Sequence, residues 1–172
     1  MRVAAFAVVL AALVISFGRP AAAGWARLYG DFTKQEIHDS VATPDGGYLL
    51  VGATKVAAPP TSALIIKLDA LGQPVWARFY GEQNQVFKSI MPLPGGNFLI
   101  AGKTEFFGTE DCLIVEIDPN GNVVALHTYG GSGSDTCFAL ARTPDGNVIL
   151  AGRSDSAGAG NFDAWLLSQF LI

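Results

Sequence analysis

The chain has 172 residues, half of them hydrophobic and only 15% charged, with a formal net charge of −4, two cysteines and two histidines. That length suits one domain. With no run of Lys or Arg, nucleic acid and anionic membrane surfaces are not expected partners, and without CxxC spacing or accompanying histidines the cysteines do not read as a zinc site.

The chain opens with Met1-Arg2, an apolar run from Val3 to Phe17, then Pro20 and Ala21-Ala22-Ala23. A basic end, a short apolar run and a small-x-small site predict a signal peptide over 1–23, cleaved after Ala23. The run is shorter than the roughly 20 residues of a membrane span. The mature chain, 24–172, is therefore expected to be exported, either secreted or periplasmic, and off the membrane once the leader is removed.

Residues 24–30 read as a short strand. A weak strand follows over 36–43, with Ile37 and Val41 apolar and Asp39 and Ser40 between them. Pro44-Asp45-Gly46 is a tight turn, in which Pro fixes φ at the first corner and Gly takes positive φ at the exit. The segment 47–54 is apolar on both faces and predicts a central strand. After a loop holding Pro59-Pro60 comes a third strand over 63–69, then the turn Asp69-Ala70-Leu71-Gly72. In 74–80, Val75, Ala77 and Phe79 alternate with Trp76, Arg78 and Tyr80, which suits an outer edge strand.

The same plan then returns. Thr43-Pro44-Asp45-Gly46-Gly47-Tyr48 is matched by Leu93-Pro94-Gly95-Gly96-Asn97-Phe98 and by Thr143-Pro144-Asp145-Gly146-Asn147-Val148, each 50 residues further on. Strands are predicted at 86–93, 97–104, 111–118 and 122–129, and again at 136–143, 147–154 and 162–170. A turn and buried strand at a fixed period mark a repeat architecture, with repeats at about 31–81, 82–130 and 131–172. The third lacks a fourth strand. Its counterpart stands at the other end, because Trp25-Ala26-Arg27-Leu28-Tyr29-Gly30 nearly duplicates Trp76-Ala77-Arg78-Phe79-Tyr80-Gly81. An offset of this kind closes a ring of blades with one strand from the far chain end and removes two exposed sheet edges.

These segments resemble the secreted bacterial and archaeal β-propeller repeats, which run W-x-K-x-Y-G-G-x-x-x-D, then P-D-G-G-Y, then D-x-W-L-x-K-x-D-x-x-G. Tyr129-Gly130-Gly131-Ser132-Gly133-Ser134-Asp135 and Asp163-Ala164-Trp165-Leu166-Leu167 carry the likeness well. The resemblance implies an all-β, β-propeller-like fold of three four-stranded blades, each about 50 residues. A β-trefoil, complete at three repeats, is the alternative. Propellers need about four blades or more, so the likeness also implies a homodimer by strand exchange, six blades in a ring. Most members of the family look like exported modules without assigned chemistry.

The reading for function is an exported, non-enzymatic binding or scaffold module for a protein or glycan. The alternative is an enzyme on a propeller scaffold, a hydrolase or a quinone-dependent oxidoreductase. Asp69 to Trp76 looks like the tryptophan-docking run of quinone dehydrogenases, though only in the scaffold, with the aromatic between blades. His38 beside Asp39 has the composition of a general base but reads as a solvated strand residue, as does His127. The Gly-rich loops 130–135 and 155–163 have calcium-type oxygen donors without a calcium-loop spacing. Asp39, Asp69, Asp118 and Asp135 recur with the repeat and read as turn and loop formers. No catalytic, cofactor-binding or metal-binding residue is assigned. Cys112 aligns with Ala63 and Cys137 with Phe87, both core slots, so two buried free thiols are expected, with a disulfide as the alternative.

Overall fold

The computed structural model describes residues 3–4, 13–14, 27–30, 34–55, 61–81, 84–105, 108–158 and 160–169. Most of the expected leader, Trp25 and the loop with Pro59 and Pro60 lie outside them. The described residues are all-β, in antiparallel sheets, and no helix among them is long and apolar enough to cross a membrane.

Three short strands come first: β1(Val3–Ala4), β2(Leu13–Val14) and β3(Arg27–Leu28). The first sheet is β4(Lys34–Ala42), β5(Tyr48–Lys55), β6(Ser62–Leu68) and β7(Pro74–Tyr80), in chain order, with β1 added on β7. The second is β8(Val86–Pro92), β9(Phe98–Thr104), β10(Asp111–Ile117) and β11(Val123–Tyr129). The third stops at three strands, β12(Asp135–Arg142), β13(Val148–Ser154) and β14(Asp163–Gln169). The strands expected from 36 onward are present, with ends shifted by a residue or two; of the strand expected over 24–30, β3 covers 27–28 and residues 24–26 lie outside the described residues. β3 pairs with β2 rather than with β14.

The turns form for the predicted reason. Gly46, Gly146, Gly72 and Gly121 all have positive φ, between 72° and 92°, and in the first turn Gly46 N donates to Thr43 O at 2.9 Å. A second repeated glycine has a different cause. In each sheet the first strand carries a β-bulge: pairing skips His38 in β4, Lys88 in β8 and Phe138 in β12. The bulged backbone closes on the neighbouring strand at Gly52, Gly102 and Gly152, where a Cβ would collide with the carbonyls of Glu36, Val86 and Thr136. A bulge re-aims the side chain it carries, so the three extra residues are presented alike, 50 positions apart.

The sheets stack face to face in chain order, β4 against β8 and β8 against β12. Leu49, Val51, Ala63 and Ile65 of the first sheet pack with Phe87, Phe98, Ile100 and Leu113 of the second. Leu99, Ala101, Cys112 and Ile114 on the second sheet's other face pack with Cys137, Val148 and Leu150 of the third. At about 25 cal/mol per Å² of apolar surface, each fully buried Leu, Ile or Phe contributes about 1.5–3 kcal/mol, so these two layers dominate the fold. Among the described residues the sheets do not close into a ring.

Cys112 and Cys137 are joined in a disulfide, which corrects the expectation of free thiols. Both core slots were read rightly, but they face each other across the second and third sheets with Cα atoms 5.1 Å apart. That separation lies within disulfide range. The equivalent pair at the first junction is Ala63 and Phe87, both fully buried.

Candidate functional site

Two places depart from the plain repeat. The first is a cleft between the ends of the first two sheets. Its walls are Lys34, Glu36 and His38 of β4, Thr54 and Lys55 of β5, and Val86 and Lys88 of β8. A neighbouring cavity shares Lys55, Thr61 and Val86 and adds Asn84, Lys103 and Glu105. Four of the chain's eleven basic residues thus converge on one edge of an acidic protein.

The bulges place the groups at its centre. His38 and Lys88 are the skipped residues of adjacent strands, and their side chains meet with Lys88 Nζ 3.3 Å from His38 Nε2. His38 Nδ1 lies 2.8 Å from Phe87 O. A carbonyl only accepts, so Nδ1 carries the proton in that bond, and Nε2 is turned toward Lys88, with Glu36 Oε2 3.7 Å away. Asp39 does not join His38. It accepts from Ser89 Oγ and Ile90 N, both at 3.0 Å, and ties β4 to β8. The His38–Asp39 pair noted in the sequence is therefore not a dyad.

The second place lies at the junction of the second and third sheets. Equivalent rows end the sheets: Gln35, Thr54, Ser62 in the first, Gln85, Thr104, Asp111 in the second, and Asp135, Ser154, Asp163 in the third. At the first junction Gln85 N donates to Thr61 O at 3.2 Å, and at the second Asp135 N donates to Glu110 O at 2.6 Å. Where the first junction brings the neutral Ser62 and Gln85 together, the second therefore brings two carboxyls, Asp111 and Asp135. A Cβ on Gly130 would strike both carboxyls, so only glycine lets the backbone pass over them.

The two acids differ in environment. Burial raises the pKa of Asp111, and the Asp135 charge raises it further. Burial also pushes Asp135 upward, but hydrogen bonds from Ser154, Ser156 and the Gly131 N–H outweigh it and leave Asp135 below the ordinary value. Asp135 Oδ1 is buried without a hydrogen-bond partner among the described residues. The pair lies beneath the Gly130–Ser134 loop, 8% and 1% exposed, rather than open to a substrate.

The two Gly-rich loops singled out in the sequence meet here. Gly133 N donates to Ser156 Oγ at 3.0 Å, Ser134 N donates to Asp155, and Ser134 Oγ donates to Glu110 Oε2 at 2.8 Å. Glu110 also pairs with Lys103. The oxygens of Ser134, Asp155 and Ser156 are thus engaged within the two loops and with Glu110, and no group of three or more His, Cys, Asp or Glu among the described residues is placed to hold a metal. His127 is on the exposed strand β11, away from both places.

Trp76 and Tyr80, on β7, which β1 covers so that it is not the sheet edge expected from the sequence, reach the Asp118–Gly121 turn of the next repeat. Tyr80 Oη donates to Gly121 O at 2.7 Å, and burial pushes its pKa to about 12. Arg78 stacks 5.1 Å over Trp76 and bonds Asn122. Tyr29 repeats the contact one step earlier, donating to Gly72 O at 2.8 Å.

No model of a known protein family and no curated protein matches the chain. Among solved structures, the chain is similar to a crystal structure of the eukaryotic initiation factor, at 16% identity and a TM-score of 0.42. The match covers 76% of this chain and 32% of that one, so the chain spans about a third of the neighbour's length.

Proposed function

We propose that the chain is an exported, non-enzymatic binding module built of propeller-type blades, and that two copies complete one ring. The observation that carries the reading is the outward face of the third sheet. Ala151 and Leu166 are exposed there, Leu166 by 68%. Their repeat counterparts, Val51 and Ile65 in the first sheet and Ala101 and Ile114 in the second, are buried against the following sheet. The third sheet thus presents an apolar face of the kind that its predecessors cover, beside a β14 edge that has no partner strand among the described residues. Exposed apolar patches of this sort mark association sites. The near-duplicate of an edge strand at 25–30 supplies the matching piece, given by a second copy in a two-fold, closed arrangement. Export is supported by the leader pattern over 1–23 and by the Cys112–Cys137 disulfide, since such bonds persist in oxidising compartments.

The test is the mass of the mature chain by size exclusion with light scattering. Twice the monomer mass is expected, with a melting temperature that rises with protein concentration. Deletion of residues 24–30 should leave monomer or aggregate. A soluble monomer whose behaviour is unaltered by that deletion would refute the ring.

A further inference from the structure

The lysine cleft has a chemistry that the repeat alone does not require. At the positions equivalent to Lys88 stand His38 and Phe138, and at the position equivalent to Lys103 stand Ala53 and Arg153. Scaffold needs do not fix lysine at either place. Two of the four ammonium groups are neutralised nearby, Lys34 by Glu36 at 2.5 Å and Lys103 by Glu110. Lys55 and Lys88 form no ion pair among the described residues. Burial lowers the pKa of Lys103, and the positive charges of Lys88 and Arg153 push the same way against Glu105. The described lining thus sets four lysines, which repel one another, against the carboxylates of Glu36 and Glu105.

The shape and lining narrow the ligand. The cavity beside His38 is about 190 Å³ and its neighbour about 370 Å³, with Lys55, Thr61 and Val86 common to both. The cationic groups are all lysines, with no arginine among the lining residues. Lysine binds as a compact point charge, suited to tetrahedral oxyanions, whereas planar carboxylates favour the forked guanidinium. The hydroxyl of Thr61 adds a group that suits sugar hydroxyls, while the Asn84 amide donates to Glu105 and Thr54 is buried. Among the described lining residues the only ring is His38, itself bonded to Phe87 O, and none is an aromatic platform of the kind on which nucleic-acid bases stack.

We propose that this cleft binds a carbohydrate bearing sulfate or phosphate ester groups, with Lys55 and Lys88 as the principal contacts and His38 holding Lys88 in place. This gives the binding module its ligand class and rests on that reading, but the cleft lies within one chain and does not need the ring.

The experiment is calorimetric titration of the mature chain with four probes: a sulfated tetrasaccharide, a phosphorylated tetrasaccharide of the same backbone, the unmodified tetrasaccharide, and a DNA oligonucleotide. The expected result is salt-sensitive binding of one or both esterified sugars and none of the unmodified one. Which ester binds more tightly identifies the source of the oxyanion. In Lys55→Gln/Lys88→Gln, binding should weaken about tenfold, equivalent to about 1.4 kcal/mol. The melting temperature and assembled mass should be unaltered, which separates loss of contact from loss of fold. Equal affinity for the double variant, equal affinity for the unmodified sugar, DNA bound as tightly as the esterified sugars, or no binding of either ester would overturn the proposal. A monomeric chain that still binds the esterified sugar in the cleft would refute the ring alone.

Discussion

The two inter-sheet junctions are built on one template and filled differently. At the first, Ser62 and Ala63 stand with Gln85 and Phe87, so neutral groups occupy these positions above an apolar layer. At the second, Asp111 and Cys112 meet Asp135 and Cys137 in the same positions, so two acids sit together and a covalent bond lies directly beneath them. A pair of buried carboxyls disfavours approach when both are ionised. The bond holds the strands together where electrostatics oppose contact. The first junction has no pair of buried acids, and is held by Phe87 and Tyr80, whose rings lie 5.7 Å apart, and by the Trp76 and Tyr80 contacts with the next turn. The charge asymmetry follows the same division, with lysines gathered at the first junction and paired acids at the second.

The largest expected effect comes from removing the bond. It spans 25 residues of sequence, and a loop of that order restrains the unfolded chain by about 3 to 4 kcal/mol. Cys112→Ala/Cys137→Ala should therefore lower stability by about that amount in denaturant titration, against an unreduced native control. Hydrogen exchange should quicken in β12 to β14 more than in β4 to β7. Uniform quickening across all three sheets would mean that the second junction has no special dependence on the bond.

The first junction offers a smaller lever. Tyr80→Phe leaves the ring in place and removes only the donor to Gly121 O, so the cost should be about 1 kcal/mol with the carbonyl left unpaired. Tyr29→Phe removes the equivalent bond to Gly72 O in a more exposed setting and should cost less. If Tyr29→Phe costs as much as Tyr80→Phe, burial is not what sets the strength of these contacts.

Part of this was legible in the chain. The 50-residue period, the turn glycines and the strand order follow from Pro-Asp-Gly signals and unbroken apolar runs, and these survive because turn chemistry is local. The bulges were not legible. Nothing in the sequence around His38, Lys88 or Phe138 marks an extra residue, and the one trace is the glycine 14 positions later, at 52, 102 and 152, which reads equally well as strand filler. The lysine cleft was hidden for a related reason: Lys34, Lys55, Lys88 and Lys103 are far apart in sequence and meet only when strand ends from two repeats align. The disulfide was discounted because its slots are apolar in the first repeat. The signal that would have found it is that Ala63 and Phe87 would touch across a junction, so two cysteines in the same slots would as well.

The smallest effect concerns the acids, and its sign is what discriminates. Asp111 has a raised pKa in the fold, caused first by burial and then by Asp135. As pH rises above the ordinary value of 3.8, the unfolded chain releases this proton while the folded chain keeps it. Stability from Asp111 therefore falls with rising pH until the raised value is passed, and the loss then persists. Asp135 works in the opposite direction: its pKa is lowered in the fold, so its contribution is present above the ordinary value and is lost as pH falls. Asp111→Ser, which installs the residue found at Ser62, removes only the unfavourable term. The melting temperature of Asp111→Ser relative to the native chain should be higher at about pH 7 than at about pH 3, where the native carboxyl is protonated in both states. Asp135→Asn should show the reverse trend, losing most at about pH 7, where its ionised form accepts the bonds from Ser154, Ser156 and Gly131. A difference for Asp111→Ser that stays constant across that range would mean that the two carboxyls do not oppose each other, and the electrostatic account of why this junction carries the disulfide would fail.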